Sequence, residues 1–113
     1  ELPVVRGFNL SLSSLGDGAT IDAAGLSRIC KVMDGAMLTL ERIHLLNGRA
    51  MNANGGTLDV ERSVVHLAHC NVTNSSAVSR GTGSALGGSL HLCGSEARLT
   101  DCIIRNSAAS CTL

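Results

Sequence analysis

The sequence predicts an all-β chain built as a solenoid of stacked coils. Its main signal is a long internal repeat, because residues 55–77 recur as residues 87–109 with an offset of 32 (87 − 55) and no gap. A looser copy at residues 38–47 precedes the middle one by 27 residues (74 − 47). A unit that returns at 20–50 residues is typical of stacked supersecondary structures. We therefore expect about three to four coils.

The second observation is a series of short segments with apolar first and third residues. They occupy residues 38–40, 43–45, 58–60, 65–67, 70–72, 90–92, 97–99 and 102–104. In a strand, the first and third side chains share one face. Long Gly-free and Pro-free stretches leave helix as the competing interpretation, but their apolar residues scatter around a helical cylinder and form no 3.6-residue stripe. Short strands are therefore favoured.

Stacking these strands in register predicts interior rows and one polar row. We expect a row of Asn side chains at a turn to be joined by amide hydrogen bonds, since each amide both donates and accepts. The predicted interior rows are Leu40, Leu67 and Leu99; Ile43, Cys70 and Cys102; and Leu45, Val72 and Ile104, and the predicted Asn ladder is Asn47, Asn74 and Asn106.

The chain is expected to form one β-helix segment over residues 1–113. Its predicted parts are an entry strand and turn (1–18), three coils (19–48, 49–74 and 75–106) and a truncated end (107–113). Variable residues 48–54 and 75–86 are predicted to be loops, because insertions in solenoids collect at one place in each unit. We expect the chain to be a piece of a longer protein.

Composition narrows the class of protein. The net charge is zero, so no basic stripe indicates nucleic-acid binding. Phe8 is the single aromatic residue although 44% of the residues are hydrophobic. A chain without ring bulk suits a narrow, layered core. No apolar run approaches the ~18–20 residues that a membrane-spanning helix needs.

Two sets of motifs carry a resemblance to a known family. ATIDAAG at 19–25 looks like the entry coil of right-handed parallel β-helix proteins of the pectin-lyase-like class. The units LxxCxVxNS at 67–75 and LxxCxIxNS at 99–107, with their Gly-Gly-(Thr/Ser)-Leu partners, are similar to the repeats of polymorphic outer-membrane adhesins. The resemblance covers roughly residues 16–109. It implies a right-handed parallel β-helix and a secreted or cell-surface location.

The sequence offers few candidates for chemistry. Asp59 and His91 occupy matching positions (91 − 59 = 32) and could serve general acid–base catalysis, but we interpret them as a solvated cross-strand pair. Stacked Cys70 and Cys102 are interpreted as small buried hydrophobic residues rather than as a disulfide. Cys93 and Cys111 are disulfide candidates on exposure, although their coil positions do not match. We predict no catalytic, cofactor-binding or metal-binding residue.

The leading functional hypothesis is a non-catalytic structural or adhesive module that presents loops and sheet faces to a carbohydrate or protein surface. Sequons at Asn9, Asn71 and Asn74 are glycosylation candidates if the chain is secreted. The alternative is a fragment of a polysaccharide lyase or glycosidase-like enzyme whose catalytic coils lie elsewhere. An ice-binding surface is disfavoured, because no two Thr residues share a repeat position. Self-association through uncapped coil ends is also expected.

Overall fold

A computed structural model describes residues 4–7, 9–14, 16, 18–80 and 86–112. The described residues contain strands, turns and no helix, so none of them forms a helix that could span a membrane. The strands are β1 (Val4–Arg6), β2 (Asn9–Ser13), β3 (Ala19–Asp22), β4 (Cys30–Met33), β5 (Met37–Glu41), β6 (Ile43–Leu46), β7 (Arg49–Met51), β8 (Leu58–Glu61), β9 (Val64–Ala68), β10 (Asn71–Arg80), β11 (Leu90–Cys93), β12 (Glu96–Thr100) and β13 (Ile103–Thr112).

These strands build three sheets, and every pair of neighbours is parallel. Sheet A has the order β1-β4-β8-β11, sheet B the order β2-β5-β9-β12, and sheet C the order β3-β6-β10-β13, with β7 also paired to β10. The chain therefore visits A, B and C in turn and repeats this order. We call each set of A, B and C strands a rung: β1–β3, β4–β7, β8–β10 and β11–β13. This is a parallel β-solenoid of about three turns, as the repeat predicts.

The interior is a narrow apolar stack between the sheets. Leu40, Leu67 and Leu99 are in register on β5, β9 and β12, and Leu45, Val72 and Ile104 are in register on sheet C. Ile43, Cys70 and Cys102 lie two residues before that second register. The side chains of the middle rungs are buried, whereas Leu99 and Ile104 of the last rung are 46% and 40% exposed. Exposure rises there because no further rung among the described residues covers them.

Parts of the two segments predicted to be loops, residues 49–51 and 75–80, are strands, whereas residues 81–85 lie outside the described residues. β10 continues to Arg80, and β7 pairs with residues 76–78 of β10. Residues 107–112, within the predicted truncated end, form the second half of β13 and pair along β10. Ser75, Ala77 and Ser79 alternate inward on β10, and Ala77 packs with Ala50 in a second, small core. The prediction failed because small residues at alternate positions resemble loop composition.

The Gly-Gly pairs of the repeat shape a neck between the two cores. Gly55 has φ +69°, a conformation that favours glycine. A Cβ on Gly56 would clash with the backbone of Ser76 and with the carbonyl of Gly88. The hydroxyls of Thr57 and Ser75 hydrogen-bond across this neck, and both residues are buried. Residues 87–88 repeat the arrangement one rung later, so the recurring Gly-Gly reflects close packing of two backbones.

Rung pairing begins within the predicted entry segment. Residues 4–22 contribute one strand to each sheet, so they form a rung of their own in the part of the chain that the structure describes. The first rung leaves an apolar cavity of about 120 Å³ against the second. It is lined by Leu10, Leu12, Ile21, Ile29, Cys30, Leu38, Leu40 and Leu58.

Candidate functional site

A buried carboxylate lies at the centre of the outer face of sheet A. Lys31, Asp59 and His91 are in register on β4, β8 and β11, so their side chains follow one another along the solenoid. Arg28 Nη1 lies 2.9 Å from Asp59 Oδ2, and His91 Nδ1 lies 2.9 Å from Asp59 Oδ1. Because a carboxylate only accepts hydrogen bonds, the imidazole Nδ1 donates this one. Arg28 and His91 thus contact the two oxygens of one acid.

Lys31 and Glu61 complete the charge balance of this cluster. Lys31 Nζ lies 3.8 Å from Asp59 Oδ2 and 3.4 Å from Glu61 Oε1. Asp59 is only 4% exposed, so it is not the solvated member of a surface pair that the sequence suggested. Arg28 covers it from the turn before β4, and strands on both sides exclude water. The Asp59–His91 pairing itself is present, but it is part of a larger buried ion network.

The hydrogen bonds to the two carboxylate oxygens of Asp59 limit the chemistry that this cluster can carry out. Both carboxylate oxygens of Asp59 accept hydrogen bonds from neighbouring cationic or imidazole groups. A general base needs an accessible lone pair directed at its substrate. Asp59 is therefore better placed to stabilise the stacking of three rungs than to transfer a proton.

Sequence reasoning missed Arg28, Lys31 and Glu61 in this cluster. Lys31 could have been found, because it is the middle residue of the strand that matches 58–60 and 90–92. Arg28 occupies the repeat position of Gly56 and Gly88, so the other rungs offer no side chain that would indicate it.

The Asn residues of the predicted ladder occupy equivalent turns. Asn47, Asn74 and Asn106 all have φ between +54° and +58°, a left-handed conformation that Asn tolerates better than most residues. Asn106 Nδ2 donates to Asn74 Oδ1 at 3.2 Å. Asn47 Nδ2 instead donates to Asp22 Oδ1 at 3.0 Å. The hydrogen bonds given by the side chain of Asn47 and by the backbone N–H of Ala24 lower the pKa of Asp22.

A polar groove of about 420 Å³ runs beside these turns, where the chain passes from β6 to β7. Arg49 is half-buried in its wall. Its Nε is buried without a hydrogen-bond partner among the described residues. An unpaired buried donor is unusual and needs an explanation. The groove is lined by Asp22, Ala24, Gly25, Asn47, Gly48, Arg49, Asn74 and Ser76.

Among the described residues, Cys70, Cys93 and Cys102 are free thiols. The Cys70 thiol donates to the carbonyls of Leu40 and Ala68, at 3.4 and 3.3 Å, and the Cys102 thiol makes the equivalent bonds one rung later. Burial raises the pKa of the Cys70 thiol. Cys93 is exposed, and the side chain of Cys111 lies outside the described residues.

The three sequons differ in accessibility. Asn9 in β2 and Asn74 at its turn are exposed. Asn71 is half-buried, with its Nδ2 3.0 Å from Nδ1 of His44 on the neighbouring strand. Accessibility alone thus favours Asn9 and Asn74 as glycosylation sites.

Comparison with known proteins identifies no relative of this chain. No protein-family model, curated protein or solved structure matches the chain. Within the described ranges, no three His, Cys, Asp or Glu side chains cluster as metal ligands would. The class that the fold defines is a parallel β-solenoid.

Proposed function

We propose that this chain is a non-catalytic binding module of a secreted or cell-surface protein, and that the groove beside the Asn turns contacts a carbohydrate. One observation carries the proposal: the unpartnered Nε of Arg49 in the wall of this groove. Because this Nε is buried, a ligand oxygen would pair with it once the Arg49 side chain turns toward the groove. Similarity to pectin-lyase-like β-helices and to adhesin repeats, as read from the motifs, supports the same kind of role.

The groove's chemistry favours a hydroxyl-rich ligand. It offers guanidinium donors from Arg49, amide donors from Asn74, the Ser76 hydroxyl and the Asp22 carboxylate as acceptor. Sugar hydroxyls both donate and accept, so they can use all four groups. Protein partners usually insert large apolar or aromatic anchors into a pocket. The groove wall contains only Ala and Gly as apolar residues, which makes a protein ligand the weaker choice.

The solenoid supports an extended ligand in particular. Neighbouring rungs lie ~4.8 Å apart, so equivalent polar groups recur along the axis at that spacing. Asn47, Asn74 and Asn106 follow this repeat on three successive rungs. A linear glycan with regularly spaced hydroxyls could contact several of them at once.

We propose a non-catalytic role because both carboxylate oxygens of Asp59 already accept hydrogen bonds. It is the most buried carboxylate of the ion network, and both of its oxygens hold structural contacts. A reaction on a bound glycan would need an acid or base beside the groove. Asp22 is the acid there, and its carboxylate is held by Asn47 and Ala24.

The test is a glycan array probed with the 113-residue chain, followed by titration of any hit. Arg49→Met keeps the apolar stem and removes the guanidinium. We expect about tenfold weaker binding, since a hydrogen bond to a charged group contributes about 1.5–3 kcal/mol. Arg98→Met on the exposed face of sheet B is the matched control and should bind like the original chain.

Three results would contradict the proposal. Equal binding by the Arg49→Met and Arg98→Met variants would remove the groove from consideration. Cleavage of a bound glycan would refute the non-catalytic assignment and favour the enzyme-fragment alternative. A purified protein ligand competing for Arg49, with no glycan bound, would show that the partner class is wrong.

A further inference from the structure

Two cysteines occupy the same position on successive rungs. Cys70 precedes β10 and Cys102 precedes β13, at the offset of the repeat (102 − 70 = 32). Backbone pairing on either side keeps that offset, because His69 N–H donates to Thr100 O at 2.9 Å and Ile103 N–H donates to Cys70 O at 3.1 Å. Cys70 is fully buried, and Cys102 packs against the same core cluster. The two side chains therefore stack on one another within the interior.

The two thiols also share one orientation. Each Sγ lies 3.3 Å from the carbonyl oxygen of the residue two positions before it in the chain. Each Sγ also contacts a carbonyl oxygen of the preceding rung, that of Leu40 at 3.4 Å for Cys70 and that of Leu67 at 3.3 Å for Cys102. Leu40 and Leu67 are themselves in register. The two sulfur atoms are thus related by one step along the solenoid, ~4.8 Å.

This separation matches a metal ion that takes two ligands in a line. A thiolate binds a metal such as zinc at ~2.3 Å. One ion midway between two sulfur atoms therefore spans ~4.6 Å, close to the step between rungs. A disulfide needs its sulfur atoms ~2.05 Å apart, so forming one would pull the thiols away from their carbonyl partners. The observed stacking accommodates an ion with less movement than a disulfide requires.

The set of donor atoms selects the kind of ion. Thiolates are soft ligands, which favour Cu(I) over hard cations such as Mg²⁺ or Ca²⁺. Zn²⁺ also accepts thiolates, but it prefers four ligands in a tetrahedron. In the part of the chain that the structure describes, no third His, Cys, Asp or Glu side chain joins these two cysteines. A soft monovalent ion that needs only two ligands therefore fits the site.

We propose that Cys70 and Cys102 bind one Cu(I) ion in a linear site between the third and fourth rungs. Binding replaces each S–H bond with an S–Cu bond, releases both protons to solvent and transfers no electron. The bound group carries one net negative charge, which is spread over two polarisable sulfur atoms. Because the ion joins neighbouring rungs only in the folded chain, it stabilises their stacking. The site shares no residue with the groove beside the Asn turns.

The experiment refolds the reduced chain with Ag(I), a redox-stable probe of the same class, or with Cu(I) under anaerobic conditions. Excess glutathione is then added, because its thiol removes ions held by a single exposed cysteine. Native mass spectrometry should show one Ag(I) or Cu(I) ion retained per chain. X-ray absorption of the Cu(I) form should show two sulfur neighbours. Zn²⁺ treated in the same way should be removed, since the site lacks four ligands.

Three variants locate the site. Cys70→Val and Cys102→Val each keep an apolar side chain of similar size and remove one ligand. Each should lower the affinity for Ag(I) at least about 100-fold, more than is lost when a group that only orients a ligand is changed. Cys93→Ser removes an exposed thiol outside the site and should retain the ion like the original chain. Cys102 is only half-buried, so its variant tests the site even if Cys70→Val does not fold.

Thermal unfolding gives a second measurement. Ag(I) should raise the melting temperature of the original chain and of Cys93→Ser, but not that of Cys102→Val, since only an intact site binds the folded state preferentially. An original chain that keeps no ion in glutathione overturns the proposal. Retention of the ion by either Val variant, or a Cu(I) spectrum with three or more sulfur neighbours, would overturn it as well.

Discussion

His91 Nδ1 lies 2.9 Å from Asp59 Oδ1 across the parallel pair β8–β11, while Arg28 holds the other carboxylate oxygen. The contact joins the third rung to the fourth, and Arg28 and Lys31 join the third to the second. Asp59 thus connects three successive rungs through ionic contacts on the outside of sheet A.

Removing Asp59 should therefore destabilise the fold. Asp59→Ala leaves Arg28 and Lys31 without their shared carboxylate in a mostly dry site. We expect a loss of about 3 kcal/mol in the free energy of unfolding, as for a broken buried ion pair. Urea denaturation measures it. Glu61→Ala is the control, and it should change stability by less than about 1 kcal/mol because its pair with Lys31 is partly solvated. Equal losses of stability in the two variants would show that Asp59 does not stabilise the stacking of the rungs.

The interior row of sheet B makes a graded prediction. Leu67→Ala opens a cavity in a fully buried position and should cost about 3 kcal/mol. Leu99→Ala removes the same atoms from a half-exposed position and should cost about 1 kcal/mol, since less apolar area is lost. Denaturation at a protein concentration below any association compares the two. A cost at Leu99 as large as that at Leu67 would contradict the observed end of the row.

The Gly-Gly neck makes a steric prediction. Gly56→Ala pushes a methyl group into the backbone of the neighbouring strand and should cost about 3 kcal/mol. Gly25→Ala is a useful contrast, because its Cβ would meet nothing within 4 Å although φ is +73°. Backbone strain alone costs about 1–2 kcal/mol there. Thermal unfolding of both variants separates close packing from conformational strain. Similar costs would mean that the neck is less tight than described.

Thiol reactivity should follow burial. Cys93 is exposed, whereas Cys70 is buried and its thiol donates to two carbonyls. Only the thiolate reacts with maleimides, and burial disfavours it. We expect Cys93 to be labelled at least about tenfold faster than Cys70 in the native chain. Peptide mapping by mass spectrometry reads each site, and denatured protein gives the reference in which the two rates converge. Fast native labelling of Cys70 would contradict its burial.

Alkaline pH should weaken the fold through the same residue. Burial raises the pKa of Cys70 in the folded state above that of an unfolded thiol, ~8.5. The associated stability is therefore fully present below the unfolded pKa and is lost as pH rises through the folded value. Cys70→Val keeps an apolar side chain of similar size and removes the titration. We expect the variant to lose less stability than the original chain between neutral and alkaline pH. Identical pH profiles would rule out this contribution.

The repeat alone determined much of the architecture. The 32-residue recurrence of residues 55–77 predicted stacked strands, because equivalent residues in a solenoid must pair at equivalent positions. The observed pairs Leu67 with Leu99 and Val72 with Ile104 have that same offset. The positions of Asp59 and His91 on adjacent strands followed from it as well.

Tertiary structure decided what the repeat does not encode. Arg28 reaches Asp59 from a position at which the next two rungs carry Gly56 and Gly88, so only its folded position makes Asp59 a buried ion-pair centre. Residues 75–80 contain small polar residues typical of a loop, yet pairing with β13 and β7 makes them a strand. Arg49 lines the groove because its strand, β7, pairs with β10 beside the Asn turns. Local sequence fixes which residues repeat, whereas contacts between rungs determine which of them become dry, paired or open to a ligand.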